Sequence, residues 1–110
     1  MQTAMVQTHE AAARQRFHPR VDAGFMVKFL VDGRAILAKA KDLSMAGLFV
    51  LAQAPRREKV TLAIPLPGDR EIVTTCLIRR ATPQGLALEF EHLDWDDMFA
   101  LARFLHPRLP

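Results

Sequence analysis

Residues 25–42 read FMVKFLVDGRAILAKAKD, which is two alternating runs joined by an Asp-Gly pair. From Phe25 to Val31 every second residue is large and apolar, which is the period of a half-buried strand. Asp32-Gly33 is a strong signal for a two-residue hairpin turn. Beyond the turn, the same period predicts an inward face made of Ile36, Ala38 and Ala40. The stretch therefore predicts an antiparallel hairpin whose second strand delivers Asp42 at its end.

Four more apolar runs predict further strands of the same kind. They are residues 48–51, 60–64, 72–78 and 86–90. Pro and Gly at 65–68 and 83–85 separate the last three with turns. Residues 72–78 are rich in β-branched side chains, but two alternating sets compete for the inward face, so their facing stays open. Six short strands with tight turns indicate an antiparallel β-barrel.

The period becomes helical after Leu93. Asp94 is a suitable N-cap, and acidic residues 96 and 97 complement the positive end of a helix. The predicted core stripe consists of Trp95, Met98, Phe99, Ala102 and Leu105, which leaves Leu101 and Phe104 off the core. Pro107 is expected to stop the helix. The fold class is therefore all-β with a terminal helix: a six-stranded antiparallel β-barrel capped by a C-terminal α-helix.

The 110 residues suit one domain with one modest core. We divide them into a flexible N-terminal tail (1–13) and a domain (14–110) with a linker (14–21), a barrel (22–90) and a helix (94–106). The sequence has no run long enough to span a membrane, no signal-peptide pattern and a single cysteine, so we expect a cytoplasmic protein without membrane insertion. Net charge is +3, with a basic body and an acidic final segment.

Two short stretches carry the chemistry that remains. The first is Arg16-Phe-His-Pro-Arg20, where Pro19 keeps the backbone out of a helix, and the second is Asp42-Leu-Ser44-Met-Ala-Gly47. Arginine binds phosphate oxygens and guanine edges through two parallel hydrogen bonds. Asp42 can accept from guanine N–H groups, and Ser44 can donate to a phosphate. Gly47, which has no Cβ, allows a ligand or another chain segment to come close.

The spacing of the residues within these two motifs resembles a known family signature. Arg-x-x-x-Arg followed by Asp-x-Ser-x-x-Gly resembles the paired signature of the PilZ domain, a bacterial receptor module for cyclic di-GMP. The apolar strand after Gly47, the Gly85–Phe90 strand and the closing helix follow the order of that family, so the resemblance covers the chain after Arg14. It implies the barrel-plus-helix fold that the sequence pattern also predicts.

The resemblance also implies a site and a partner. Arg16 and Arg20 would hold phosphate and guanine, Asp42 and Ser44 would contact a guanine, and Gly47 would hold the turn. Cyclic di-GMP would be the ligand, no cofactor is expected, and the ordered arginine linker would signal to a protein effector. The wide apolar face of the helix favours a further interface, either a homodimer or a partner protein.

Other classes of function are less well supported by the residues. The four histidines have no ligand spacing, so no metal site is expected, and no catalytic constellation is present, so the chain is predicted not to be an enzyme. A ligand-independent adaptor in motility or pilus assembly is the first alternative. A barrel for single-stranded nucleic acid is the second, but such barrels need aromatic stacking platforms, and the sequence has no Tyr and one Trp.

Overall fold

The computed structural model describes residues 19–53 and 57–109, which form seven strands and one α-helix. The strands are β1 (Val21–Asp22), β2 (Met26–Val31), β3 (Arg34–Leu43), β4 (Gly47–Leu51), β5 (Lys59–Leu66), β6 (Arg70–Ala81) and β7 (Leu86–Phe90). Helix α1 (Trp95–Leu105) follows, and a single 3₁₀ turn (His106–Arg108) continues from it. The predicted tail and most of the predicted linker lie outside the described residues.

Six of the strands close into a barrel. The order of neighbours is β3-β2-β5-β6-β7-β4, and antiparallel pairing of β4 with β3 completes the ring. The predicted six-stranded antiparallel barrel with a C-terminal helix is thus confirmed. The seventh strand, β1, pairs with β3 and with no other described strand, and Val21 lies opposite Leu43. Two residues are too few to give an alternating pattern, so the sequence did not reveal this strand.

The barrel core is built by alternation along the strands. Buried positions that match the prediction are Val27 and Phe29 of β2 and Val60, Leu62 and Ile64 of β5. In β6 the buried set is Ile72, Thr74 and Cys76, which settles the facing that the sequence left open. The inward placement of Ile36 was wrong, since its side chain is 53% exposed. Residues 32–37 are all exposed, because the tip of the β2–β3 hairpin extends beyond the core.

The facing of α1 also differs from the prediction. Leu101 is fully buried and Phe104 packs partly against the core, although both were assigned to the outer side. Trp95, Phe99 and Ala102 were assigned to the core but are exposed, Trp95 by 73% and Phe99 by 59%. Both stripes have helical spacing, so periodicity could not choose between them. The aliphatic stripe packs on the barrel, and Phe104 meets Phe25 edge to face with ring centroids 6.0 Å apart.

The ends of α1 follow local chemistry. Asp94 is the N-cap, and its side chain accepts a hydrogen bond from the backbone N–H of Asp97 at 2.8 Å. The helix ends at Leu105, and Pro107 lies in the 3₁₀ turn that follows. Within the part of the chain that the structure describes, no helix is long and apolar enough to cross a membrane.

Candidate functional site

The second motif lies where β3 leaves the barrel wall. Ala40 pairs with Val50 of β4, but the next paired residue of β3 is Asp42, so Lys41 is an extra residue in a β-bulge. A bulge changes the direction of the side chains that follow it. Here Leu43 takes the fully buried position, and Asp42 is left at the barrel end with a side chain that is 18% exposed.

Arg20 and Asp42 are brought together at this end of the barrel. The Nη1 atom of Arg20 lies 3.8 Å from Oδ2 of Asp42, and the arginine side chain is 49% exposed. The other carboxylate oxygen, Oδ1 of Asp42, is buried and accepts no hydrogen bond from the described residues. A buried polar atom without a partner is uncommon in a native fold and requires an explanation.

A second carboxylate lies beside this pair. Asp22 of β1 is directly opposite Asp42 of β3 in the strand register. Like charges in opposite positions of an antiparallel pair are destabilising. The local concentration of negative charge therefore favours the approach of cationic groups or hydrogen-bond donors, and Arg20 is the one described cation that pairs with Asp42.

Ser44 is buried and fixes the turn that follows β3. Its Oγ accepts from the backbone N–H groups of Ala46 (3.1 Å) and Gly47 (3.3 Å) and donates to the carbonyl of Gly47. The backbone N–H of Ser44 also donates to the Gly47 carbonyl, at 2.8 Å. These bonds make a closed Ser-x-x-Gly turn, so the hydroxyl is already engaged inside the protein.

The same turn occurs a second time in the barrel. Oγ1 of Thr82 accepts from the N–H groups of Gln84 and Gly85, and the Thr82 N–H donates to the Gly85 carbonyl at 2.8 Å. Both glycines precede or begin the paired strands β4 and β7. The Ser/Thr-x-x-Gly turn thus occurs twice in this barrel. The turn at Ser44 differs from the turn at Thr82 because Asp42 precedes it.

Gly47 is held by a close approach of another strand. A Cβ at this position would lie 1.9 Å from the carbonyl oxygen of Leu88 in β7. Gly85 is constrained reciprocally, because its Cβ would lie 2.2 Å from the carbonyl oxygen of Val50 in β4. The space beside Gly47 is therefore filled by the chain itself, and glycine allows β4 and β7 to pack together.

We call Arg20, Asp42, Ser44 and Gly47 the rim site. Of the five predicted ligand-binding residues, these four lie in the described chain, and Arg16 lies outside it. Arg20 and Asp42 place opposite charges at the barrel end, whereas Ser44 and Gly47 hold the turn beside them. The sequence did not identify Asp22 as a neighbour, since its position depends on the two-residue strand β1. Among the described residues, no three His, Cys, Asp or Glu side chains gather as metal ligands would.

Comparison with known proteins identifies the family of the chain. The family model described as "PilZ domain" matches residues 14–106, which include both motifs. A search of curated proteins finds no match.

Several solved structures share the fold. The Bacillus subtilis inhibitor of motility MotI/DgrA superposes with a TM-score of 0.71 at 22% identity, over 83% of this chain and 49% of that one. The chain thus spans about half the length of that protein. The PilZ domain of CeSA from a cellulose-synthesising bacterium has a TM-score of 0.64 at 22% identity, over 80% and 95% of the two chains. The PilZ domain of Escherichia coli YcgR, solved with c-di-GMP, has a TM-score of 0.63 at 13% identity, over 83% of this chain and 88% of that one.

The PilZ family model covers most of the chain, and the barrel has the same architecture as these domains. The chain therefore belongs to the PilZ domain family.

Proposed function

We propose that the chain is a receptor domain for cyclic di-GMP that signals through a protein partner. One observation carries the proposal: Asp42 of the second motif lies beside Arg20 of the first, and its buried carboxylate oxygen accepts no hydrogen bond from the described part of the chain. The similarity to the PilZ domain of YcgR, which was solved with c-di-GMP, supports the choice of ligand. The proposed site consists of Arg16, Arg20, Asp42, Ser44 and Gly47.

The division of work among these residues follows from their surroundings. Arg20 is half exposed and only loosely paired, so its guanidinium can turn to a phosphate or a guanine edge. Asp42 can accept from the ring N–H of a guanine through Oδ2, the carboxylate oxygen that faces Arg20 at 3.8 Å. Ser44 and Gly47 position Asp42 by closing the turn after it.

Signalling would arise from ordering. A dianionic ligand held between the arginine motif and Asp42 neutralises the guanidinium groups and fixes the first motif against the barrel end. The surface offered to a protein partner then differs between the free and the bound states. Binding and ordering need no chemical step, so the proposed activity is that of a receptor and adaptor rather than of an enzyme.

The surface of the barrel gives little support to a nucleic-acid barrel. In the described chain, the exposed aromatic rings are Trp95 and Phe99, and both lie on α1 rather than on a strand. Single-stranded nucleic acids bind to barrels through rings on the strands.

The test is titration calorimetry with cyclic di-GMP on the wild-type chain and on Arg16→Ala, Arg20→Ala and the double variant. Each substitution removes charge-assisted hydrogen bonds, so affinity should fall about tenfold or more. Arg34→Ala is the matched control, because Arg34 is an exposed arginine at the hairpin tip. Wild-type affinity in the Arg20→Ala protein would refute the assignment. A wild-type chain that binds no ligand but retains a protein partner would favour the ligand-independent adaptor.

A further inference from the structure

The outer face of α1 carries two large aromatic side chains that do not pack into the core. Trp95 and Phe99 are 73% and 59% exposed, and their rings contact each other with centroids 6.1 Å apart and planes at 31°. Exposed, mutually packed aromatic rings are the residues that most often carry the binding energy of protein interfaces. This face of the helix is therefore suited to an interface.

Charges are arranged in order along the same face. Asp96 lies one turn before Phe99, and Arg103 lies one turn after it, followed by His106. Within the described residues neither Asp96 nor Arg103 forms an ion pair, whereas the neighbouring Asp97 is paired with Arg70 at 3.1 Å. The exposed face thus has a free acid at one end, a free base at the other and aromatic rings between them.

A groove runs beside this face. It has a volume of about 590 Å³ and lies between α1 and the start of β6, lined by Arg70, Asp96, Phe99, Ala102, Arg103 and Pro107 among others. Ala102 is exposed and small, so it leaves room at the level of the helix where Arg103 projects. The groove can therefore accept a bulky side chain from a partner.

We propose that this face binds a second copy of the same chain, with the two α1 helices antiparallel about a two-fold axis beside Phe99. A two-fold interface must be complementary to itself. In this arrangement Asp96 of each copy faces Arg103 of the other, so two identical ion pairs flank the axis. Trp95 of each copy meets Ala102 of the other and fills the groove. An acidic end and a basic end on one face match each other when the helix direction is reversed, which favours a second copy over an unrelated partner.

The decisive experiment is a charge exchange, followed by sedimentation velocity over a range of concentrations. The wild-type chain should show a concentration-dependent dimer. Asp96→Arg and Arg103→Asp should each weaken the dimer about tenfold or more, because each places like charges opposite one another twice. The double variant Asp96→Arg/Arg103→Asp should recover dimerisation. An equimolar mixture of the two single variants should form a heterodimer, since both of its contacts are then attractive.

Circular dichroism and thermal unfolding show whether each variant keeps its fold, since Asp96 and Arg103 also complement the ends of the helix.

Cross-linking of a Phe99→Cys variant gives a second readout of dimerisation. A short bis-maleimide should cross-link it into a dimer, while the exposed barrel position Val73→Cys should not cross-link, and the native Cys76 is fully buried and should not react. A wild-type chain that stays monomeric at its highest soluble concentration overturns the proposal. So does a dimer that the charge exchange leaves unchanged, and so does a monomer that captures an unrelated protein through Trp95. These outcomes are independent of whether cyclic di-GMP binds.

Discussion

At the end of the barrel, Nη1 of Arg20 lies 3.8 Å from Oδ2 of Asp42, which is longer than a charge-assisted hydrogen bond. The arginine is half exposed, so the pair contributes little to stability. The other carboxylate oxygen of Asp42 is buried and accepts nothing from the described residues, and Asp22 lies opposite it in the register. Within the described residues, the fold therefore leaves one oxygen of Asp42 buried without a hydrogen-bond donor, which costs stability, as expected of a group retained for binding rather than for folding.

The first prediction follows from this cost. Asp42→Ala removes a buried oxygen that no described residue satisfies, and it removes the repulsion with Asp22, so the free energy of unfolding should stay the same or rise by up to about 1 kcal/mol. Affinity for cyclic di-GMP should fall about tenfold. Urea denaturation and calorimetry measure the two effects on the same protein.

Asp22→Ala is the matched control for Asp42→Ala. It relieves the same repulsion and should be equally neutral or stabilising, but it should retain most of the affinity for the ligand. If Asp42→Ala instead unfolds more easily and binds as tightly as the wild type, the role of Asp42 is structural and the proposed site is wrong.

The second prediction concerns Ser44. Ser44→Ala leaves the backbone N–H groups of residues 46 and 47 without their acceptor, so stability should fall by about 1–3 kcal/mol. Thr82→Ala breaks the equivalent turn elsewhere and should also lower stability, although its turn is more exposed. Only Ser44→Ala should weaken ligand binding, since only that turn supports Asp42. A Ser44→Ala protein of unchanged stability would show that the hydroxyl does not hold the turn.

The third prediction concerns Gly47. A methyl group at this position would overlap the Leu88 carbonyl oxygen and approach Glu89 Cα to 2.9 Å, so β4 and β7 would have to separate. Overpacking against backbone is costly, and Gly47→Ala should lose about 3 kcal/mol or more in urea denaturation.

Gly33→Ala separates this steric effect from backbone conformation. Gly33 has a φ of +74° but nothing within 4 Å of its Cβ position, so the cost there should be about 1 kcal/mol from the left-handed backbone alone. Equal losses in the two variants would mean that the approach of β7 does not constrain Gly47.

The sequence predicted those parts of the fold that depend on local patterns. The Asp32-Gly33 turn forms with both residues at positive φ, as its hairpin type requires, and Asp94 caps the helix. The two motifs were recognised from their spacing, and the structure brings Arg20 of the first beside Asp42 of the second.

What the sequence could not predict depends on contacts between distant residues. The choice of the Leu101 stripe over the Trp95 stripe depends on which side chains fit the barrel, including the contact of Phe104 with Phe25. The reason for Gly47 became visible only when Leu88 was placed against it. The role of Ser44 likewise required the turn geometry, because a hydroxyl at this position is equally able to serve a ligand or the backbone.

The last prediction concerns Cys76, which is fully buried in β6. Burial disfavours the charged thiolate and raises the pKa of this thiol from 9.0 to about 12. In the unfolded chain the thiol ionises above pH 9.0, whereas in the folded chain it stays neutral until about pH 12. The contribution of Cys76 to stability is therefore fully present below pH 9.0, and it is lost as the pH rises toward 12, at about 1.4 kcal/mol per pH unit.

This slope can be measured by urea denaturation of the wild type and of Cys76→Ala between pH 8 and pH 11, at roughly three pH values per pH unit. The variant should be less stable at pH 8, because it leaves a small cavity, yet its stability should decline less steeply above pH 9. Parallel slopes for the two proteins would show that the Cys76 thiol ionises equally easily in the folded barrel, and the packing of β6 against the core would then be looser than its burial implies.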